Sequence, residues 1–450
     1  MQKYNENYKL SSRLVNFAEE LIQSNCLDSA KSLICSALVM APGRSALIHK
    51  LGEIYDREGN LEAAGLCFRG VIPDAANEQY FQSSQLSGKR LPAEQCVSVQ
   101  KLMAEQAEQI SLSTPERNTT DKYYRQFERP HTESRENFVT VAVNGAIWFD
   151  GFNTLALDSE RNIITDVVKG NEYSAYSASI VEAAVSLDGT ACFLDGRSSS
   201  IYYHWMLDIL PKLHILQKSG IALDSIDYFV VQARSGFQFE TLKHCGIPKN
   251  KIHVIEGPVQ HVKASRMIFP QLRNDLGERV YWGLGLGLGS WAPEYLKKVF
   301  LSADIKQSGR RIYISRAARG TRNIRNECVL ISELEKRNFE VVSFEDYSVP
   351  EQAQLMAQSE MVVGVHGAGL TNLCFCHEGT RVIEIFGEYI VPCYWSLAAV
   401  KKLRYFQYMA TSDFPVVDNP GQQVDKLREM ELIVDIDDFM ETVDRQLSTA

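Results

Sequence analysis

From Pro293 to about Gly421, apolar positions recur with two alternating periods. The helical spacing predicts helices over 293–302, 326–337, 350–358 and 370–375. Short apolar runs between them predict strands over 311–315, 339–343, 361–365 and 381–386. Strand and helix in strict alternation predict a parallel sheet with crossover helices. Upstream, from Asn137, the texture is β-rich: Phe138–Val143, Ala146–Phe149, Ile163–Val168, Ala191–Leu194, Tyr228–Val231, Lys251–Ile255 and Arg266–Phe269. Helical stretches separate several of these runs, as in a layered α/β domain. The divisions that follow are helical hairpins over 1–75, a polar, helical connector over 76–136, α/β domains over 137–290 and 291–425, and a final helix over 426–450.

In the first 75 residues a 34-residue spacing relates Ala30, Ala37 and Pro42 to Leu51, Gly52, Tyr55, Ala64 and Phe68. Small residues let helices approach, and large ones fill the gaps. The pattern is similar to tetratricopeptide repeats. Two copies are too few to stand alone, so the hairpins are expected to pack on something else. Whether they bind a protein partner or only cap the fold stays open.

Two segments suggest chemistry. The strand at 361–365 runs into His366-Gly367-Ala368-Gly369, then a short helix. Glycines let backbone approach a ligand, and helix-start amides favour an anion. A bland alternative, a simple strand-to-helix turn, fits the spacing equally well. The second segment, Arg310–Glu327, carries six arginines, at 310, 311, 316, 319, 322 and 325. The whole chain has 47 Lys+Arg against 56 Asp+Glu, so this cluster stands against the overall charge. Guanidinium forks match phosphate oxygens. Those from Arg316 onward fall beyond a strand end, the edge where open α/β sheets bind ligands. A solvated charged face is the competing account.

These segments, with Tyr202-Tyr203-His204-Trp205-Met206-Leu207-Asp208-Ile209-Leu210-Pro211 before them, resemble glycosyltransferase family 61 of bacterial type. The matching blocks are Tyr202–Pro211, Tyr313–Glu327, Val365–Asn372 and the strand Val382–Ile385. The likeness covers roughly 137–440. It implies a GT-B-like pair of Rossmann-type domains, here preceded by the tetratricopeptide-like region, and an inverting, metal-independent transfer from a nucleotide-sugar donor. It also implies a glycan or lipid-linked glycan acceptor and a bacterial surface polysaccharide as product.

Glycosyl transfer needs charge stabilisation on the leaving diphosphate, a base for the acceptor hydroxyl, and alignment. Donor-binding candidates are Arg316, Arg322, Asn326, His366, Gly367, Ala368, Gly369 and Asn372. Phe344 and Glu345, at a strand end, are placed against the base, and Glu384 against the ribose. Asn326 also reads as a helix cap. Glu384, in mid-strand, also reads as the partner of a buried arginine. His204 and Asp208, four apart, share a helical face. Either His204 is the base with Asp208 orienting it, or Asp208 acts directly. An aromatic packing cluster is the structural alternative.

Composition narrows the rest. A net charge of −9 argues against general nucleic-acid binding. No apolar run reaches membrane-spanning length, and the N-terminus lacks a signal-peptide core, so a cytoplasmic protein is expected, with room for a peripheral place at the inner membrane face. Ten scattered cysteines, including Cys374-Phe375-Cys376-His377, lack a metal or disulfide framework. No metal or other cofactor is expected. Gly283–Gly289 fails the dinucleotide fingerprint at its third glycine and reads as a flexible join. Asp435-Ile436-Asp437 reads as a helix cap rather than a metal motif. An α/β-hydrolase is excluded because no Gly-x-Ser-x-Gly elbow exists. The alternative function is a non-catalytic scaffold with a degenerate transferase domain.

Overall fold

The computed structural model describes residues 14–40, 45–68, 72–73, 89–119, 125–128, 130–149, 154–168, 185–196, 198–255, 260–273, 286–316, 321–412 and 430–448. Two sheets organise these residues.

The second sheet is wholly parallel and has six strands. Its order is Phe339–Val342, Arg310–Ile314, Ser359–Val365, Arg381–Phe386, Arg404–Met409 and Glu116–Arg117. Its interior strands are buried on both faces, so they read as apolar runs rather than alternations. Apart from Glu116–Arg117, which precedes the others in the chain, the strands start at Arg310–Ile314, step out to Phe339–Val342, then cross back to Ser359–Val365. Strand order therefore reverses between Arg310–Ile314 and Ser359–Val365, which opens a crevice at their carboxyl ends. The predicted strands and helices of this region recur with boundaries within two residues, except that 370–375 is part of a 3-10 helix, Ala368–Phe375.

The first sheet has ten strands and is mixed, whereas a Rossmann-type domain, which the resemblance implies, has a mostly parallel one. Its parallel part runs Gln260–Gln271, Val185–Phe193, Tyr228–Val231, Ile252–Val254. On its other side, Gln260–Gln271 pairs antiparallel with both Asn137–Val143 and Ala146–Phe149. These two lie end to end, broken at Asn144, whose φ of 51° is left-handed. The helical connector expected over 76–136 is a correction. Its described part contains Arg90–Leu91, Val99–Glu105, Gln109–Ser111, Glu116–Arg117 and His131–Glu133, all strands. Polar residues there cover edges: Val99–Glu105 pairs with Asn137–Val143, and Glu116–Arg117 with Arg404–Met409. The segment is thus built into both sheets, and the Trp395 indole N–H donates to Ser113 O at 2.8 Å.

Helices over 14–23, Leu27–Met40, Ser45–Arg57 and Leu61–Phe68 lie on the first sheet. Ala30, Ala37, Leu51 and Tyr55 join Trp148, Leu155, Leu157 and Ile163 in one apolar cluster. A Cβ on Gly52 would meet the Phe68 ring at 2.8 Å, so close helix contact requires glycine there. The last helix, Ile436–Ser448, packs Phe439, Met440 and Val443 on Phe406 and Tyr408 of the second sheet. Asp435 Oδ1 accepts the Asp438 amide at 3.2 Å, an N-cap bond. Of the glycine-rich run, only 286–289 are described; Leu286 and Leu288 are buried.

Between the sheets, Trp205, Leu213 and Leu242 from the first half share one core with Val349, Leu370 and Phe375 from the second. No helix among the described residues is long and apolar enough to cross a membrane.

Candidate active site

His204 lies past the carboxyl end of Val185–Phe193. That end is sewn by Asp195, which accepts the amides of Gly196 and Gln232 while the Lys212 ammonium donates to its carbonyl. Burial pushes the Asp195 carboxyl up to about 6, against the bonds from Gly196 and Ser199 and the charge of Lys212. One helical turn, Tyr202–His204, opens into a π-helical stretch, Trp205–Ile209. The Leu210 amide donates to Trp205 O, five residues back, at 3.0 Å. Pro211 follows without an N–H to continue an α-helical ladder. Widened turns of this kind gather at functional sites. His204 Nδ1 lies 2.6 Å from Asp208 Oδ2, and both side chains are about a fifth to a quarter exposed (19% and 25%). The pair expected from the sequence is formed.

At the crevice of the second sheet, Gly367 has φ 172° and ψ 169°, ordinary extended backbone. Its need for glycine lies elsewhere. A Cβ would collide with Nη1 of Arg316, so the guanidinium reaches the bare backbone with its Nη1 end. Gly369 is similarly tight: a Cβ would sit 3.1 Å from Ile314 Cγ2 and 3.4 Å from the Phe344 ring. Ala368 opens the 3-10 helix. Ser315, beside Arg316, donates to Glu327 Oε1 at 2.9 Å, as does the buried Tyr313 hydroxyl at 2.8 Å.

The arginine cluster divides. Arg310 and Arg311, at the strand's start, pair with Glu340 and Glu360. Arg325 pairs with Glu431. Arg319 lies outside the described residues. Arg322 is held at φ 55° with its guanidinium over the Tyr389 ring, 5.2 Å from the centroid. Its charge also reaches Glu384 and Tyr394.

His366 is 5% exposed, and its Nδ1 lies 2.5 Å from Glu384 Oε1. The other oxygen of Glu384 accepts the Tyr405 hydroxyl. Phe386, Tyr389 and Tyr394 surround the imidazole at 5.1, 5.5 and 5.4 Å between ring centroids. Tyr394 meets Tyr203 edge-on at 5.6 Å, and Tyr203 meets His204 at 5.3 Å. A contiguous path of rings therefore links His366 in one half to His204 in the other. Burial holds the Tyr203 and Tyr394 hydroxyls well above the ordinary phenol range.

Four positions expected to meet the donor are committed elsewhere. Asn326 brackets the Val434 peptide, donating to its carbonyl at 2.7 Å and accepting its amide at 3.1 Å. Asn372 is fully buried, accepting the Tyr202 hydroxyl and donating to Gln352 Oε1, both at 2.8 Å. Phe344 belongs to the shared core. Glu384 is fully buried with its oxygens bonded to His366 and Tyr405 rather than turned to a ribose, and Arg322 acts on it by charge without an ion-pair contact. Glu345 is exposed and accepts the Ser343 hydroxyl at 3.0 Å.

The sequence offers Tyr203 only as a member of an aromatic packing cluster with His204 and Trp205; Tyr394, Tyr389 and Tyr405 escape sequence reasoning. Only Tyr405 left a trace, since it falls on the same face of its strand as Gln407, the register partner of Glu384. Among the described residues no group of three His, Cys, Asp or Glu is gathered to hold a metal. Cys374 and Cys376 are buried thiols, the latter pushed up to about 12 by burial.

A stretch of 103 residues, 22% of this chain, is 31% identical to the EGF domain-specific O-linked N-acetylglucosamine transferase of Drosophila melanogaster. It covers 20% of that protein, so the match spans about a fifth of the curated relative's length. Residues 202–383 match the family model for Glycosyltransferase 61. The matched segment opens on Tyr202, includes His204, Asp208, Arg316, Arg322 and the 366–369 turn, and stops one residue before Glu384. Residues 202–383 are thus similar to glycosyltransferase family 61, and the name of the relative is that of a sugar transferase.

Proposed function

We propose that this chain is an inverting, metal-independent glycosyltransferase of GT-B type. It moves a sugar from a nucleotide-activated donor to a hydroxyl of a glycan or lipid-linked glycan. The observation that carries the reading is the meeting of two sites through Tyr203 and Tyr394: an acid–base pair, His204–Asp208, and an anion-suited crevice with Arg316, Arg322 and His366.

The diphosphate would lie in the crevice at the order reversal, against Arg316 and the bare backbone of Gly367, Ala368 and Gly369. Arg322 and His366 would face its developing charge. Nδ1 of His204 is bound by Asp208, so Nε2 would take the acceptor's proton. The acceptor oxygen bonds to the anomeric carbon as the carbon–oxygen bond to the diphosphate breaks, and the configuration inverts. Asp208 holds the imidazole's tautomer and offsets the charge it gains. Exposed Glu345 is the one strand-end residue left to meet the base.

A bacterial surface polysaccharide, built at the cytoplasmic side of the membrane, is the proposed product. A second reading takes a serine or threonine hydroxyl of a protein as acceptor; it is favoured by the relative, whose name specifies an EGF domain. The helical hairpins are proposed as a protein-binding face.

The test is incubation of the pure chain with a panel of nucleotide sugars, with chelator present. Slow release of nucleoside diphosphate from one donor supports the transferase. Binding without release at any acceptor favours a scaffold with a degenerate site. Adding glycan and peptide acceptors separates the two acceptor classes.

A further inference from the structure

The least expected feature of the crevice lies behind it. His366, Glu384 and Tyr405 form a hydrogen-bonded line across three adjacent strands or their ends, with His366 and Glu384 buried and Tyr405 partly so. Glu384 sits in the middle of its strand at 0% exposure. Burying a carboxylate without purpose is strongly unfavourable. Residues within reach of the pair come from every element packed on it. Phe386, Tyr389 and Tyr394 ring the imidazole. Arg322 acts on Glu384 and Tyr394, and Arg316 lies against Gly367 next door. The Cys393 thiol is raised by burial, then by Glu384 and, less, by Asp208 from the other half.

We propose that Glu384 and Tyr405 are positioning residues that keep a proton on His366 Nε2, so that the histidine donates a hydrogen bond to the leaving diphosphate. This rests on the reading of the crevice as the donor site. With one shared proton between Nδ1 and Glu384, the pair is neutral overall and Nε2 still carries its own hydrogen. When the pair gives up one of these two protons, the one that remains sits as Nδ1–H on the carboxylate, which leaves a bare Nε2 and a buried net negative charge. Burial disfavours that state: it pushes the Glu384 carboxyl well up, countered by the Tyr405 hydroxyl and then by Arg322. The shared proton is therefore retained upward in pH, and diphosphate affinity falls only where it is lost. The two partners act in opposite senses. Removing the carboxylate takes away the site that holds the proton. Removing the Tyr405 hydroxyl takes away a donor that favours the bare carboxylate.

Two measurements test this in the full-length chain. Nitrogen-15 histidine spectra, with His366 assigned through His366→Asn, report which ring nitrogen is protonated as pH varies. Calorimetry reports affinity for inorganic pyrophosphate over the same range. The wild type should keep Nε2 protonated through pH 8. Glu384→Gln should move the titration midpoint down by at least one unit, which weakens pyrophosphate about tenfold at slightly alkaline pH. Tyr405→Phe, a mild change, should move the midpoint up. A wild-type Nε2 already bare at pH 7, or midpoints unmoved in both variants, overturns the inference even if Glu384→Gln fails to fold. Histidine shifts as stated, with no pyrophosphate binding by the wild type, support the proton pairing but overturn the donor-site reading. Binding with unmoved midpoints leaves that reading standing and removes Glu384 and Tyr405 from it.

Discussion

Arg316 and Gly367 form a unit that neither residue type would announce alone. The guanidinium rests where a Cβ would stand, so Gly367→Ala should displace it without disturbing the fold. The displaced group is the far end of a flexible side chain, and the stability change should stay below about 1 kcal/mol. Nucleoside-diphosphate affinity should fall by roughly tenfold to a hundredfold, the scale of one charged hydrogen bond at ~1.5–3 kcal/mol. Arg316→Ala should give the same loss, and the double variant no more than either alone; calorimetry on the three proteins decides. On the acceptor side, His204→Ala should cut single-turnover transfer by about a hundredfold or more, with donor affinity nearly intact. Asp208→Asn should be milder, by about tenfold, since at 2.6 Å from Nδ1 the carboxylate orients rather than accepts. Equal losses would make Asp208 the base. Near-normal transfer by both would return Tyr203, His204 and Trp205 to core packing. The spacing of His204 and Asp208 was legible because four residues cover one helical turn. The true partners of Asn326, Asn372 and Glu384 were not, because Val434, Gln352 and Tyr405 are 108, 20 and 21 residues away in sequence.

At the level of elements, the parallel sheet was legible almost strand by strand, since a doubly buried strand must be apolar and its crossover helix must be amphipathic. The segment 89–119 was misread as helical because its strands are polar and, apart from the seven-residue edge strand Val99–Glu105, only two or three residues long. Two- and three-residue strands carry no period to detect. Tyr202 and Asn372 show how the elements are joined across the halves. Tyr202→Phe removes one hydrogen bond and leaves the buried Asn372 oxygen without its donor. Urea unfolding should show a loss of about 1–3 kcal/mol, the penalty for an orphaned buried acceptor. An unchanged midpoint would mean that the Tyr202–Asn372 bond adds nothing to the joining of the two halves.

For the molecule as a whole, the two motifs face each other because both sit at the carboxyl ends of parallel strands and one apolar core joins their helices. A nucleoside diphosphate bound in the crevice should therefore raise the melting temperature of the entire chain, with chelator present, by mass action. A shift that needs Mg²⁺ or Mn²⁺ would contradict the arginine-based donor site. By itself the sequence determined what local order can encode: the strand–helix alternation, the turn at 366–369, the arginines past a strand end, and the His204–Asp208 spacing. Tertiary structure alone decided which arginines face the crevice, since Arg310, Arg311 and Arg325 found carboxylate partners while Arg316 and Arg322 turned inward. It also decided that Glu384 bonds to a histidine, and that Tyr203 and Tyr394 meet between the halves. Those outcomes depend on strand register and on packing between distant segments, and neither leaves a period in the chain.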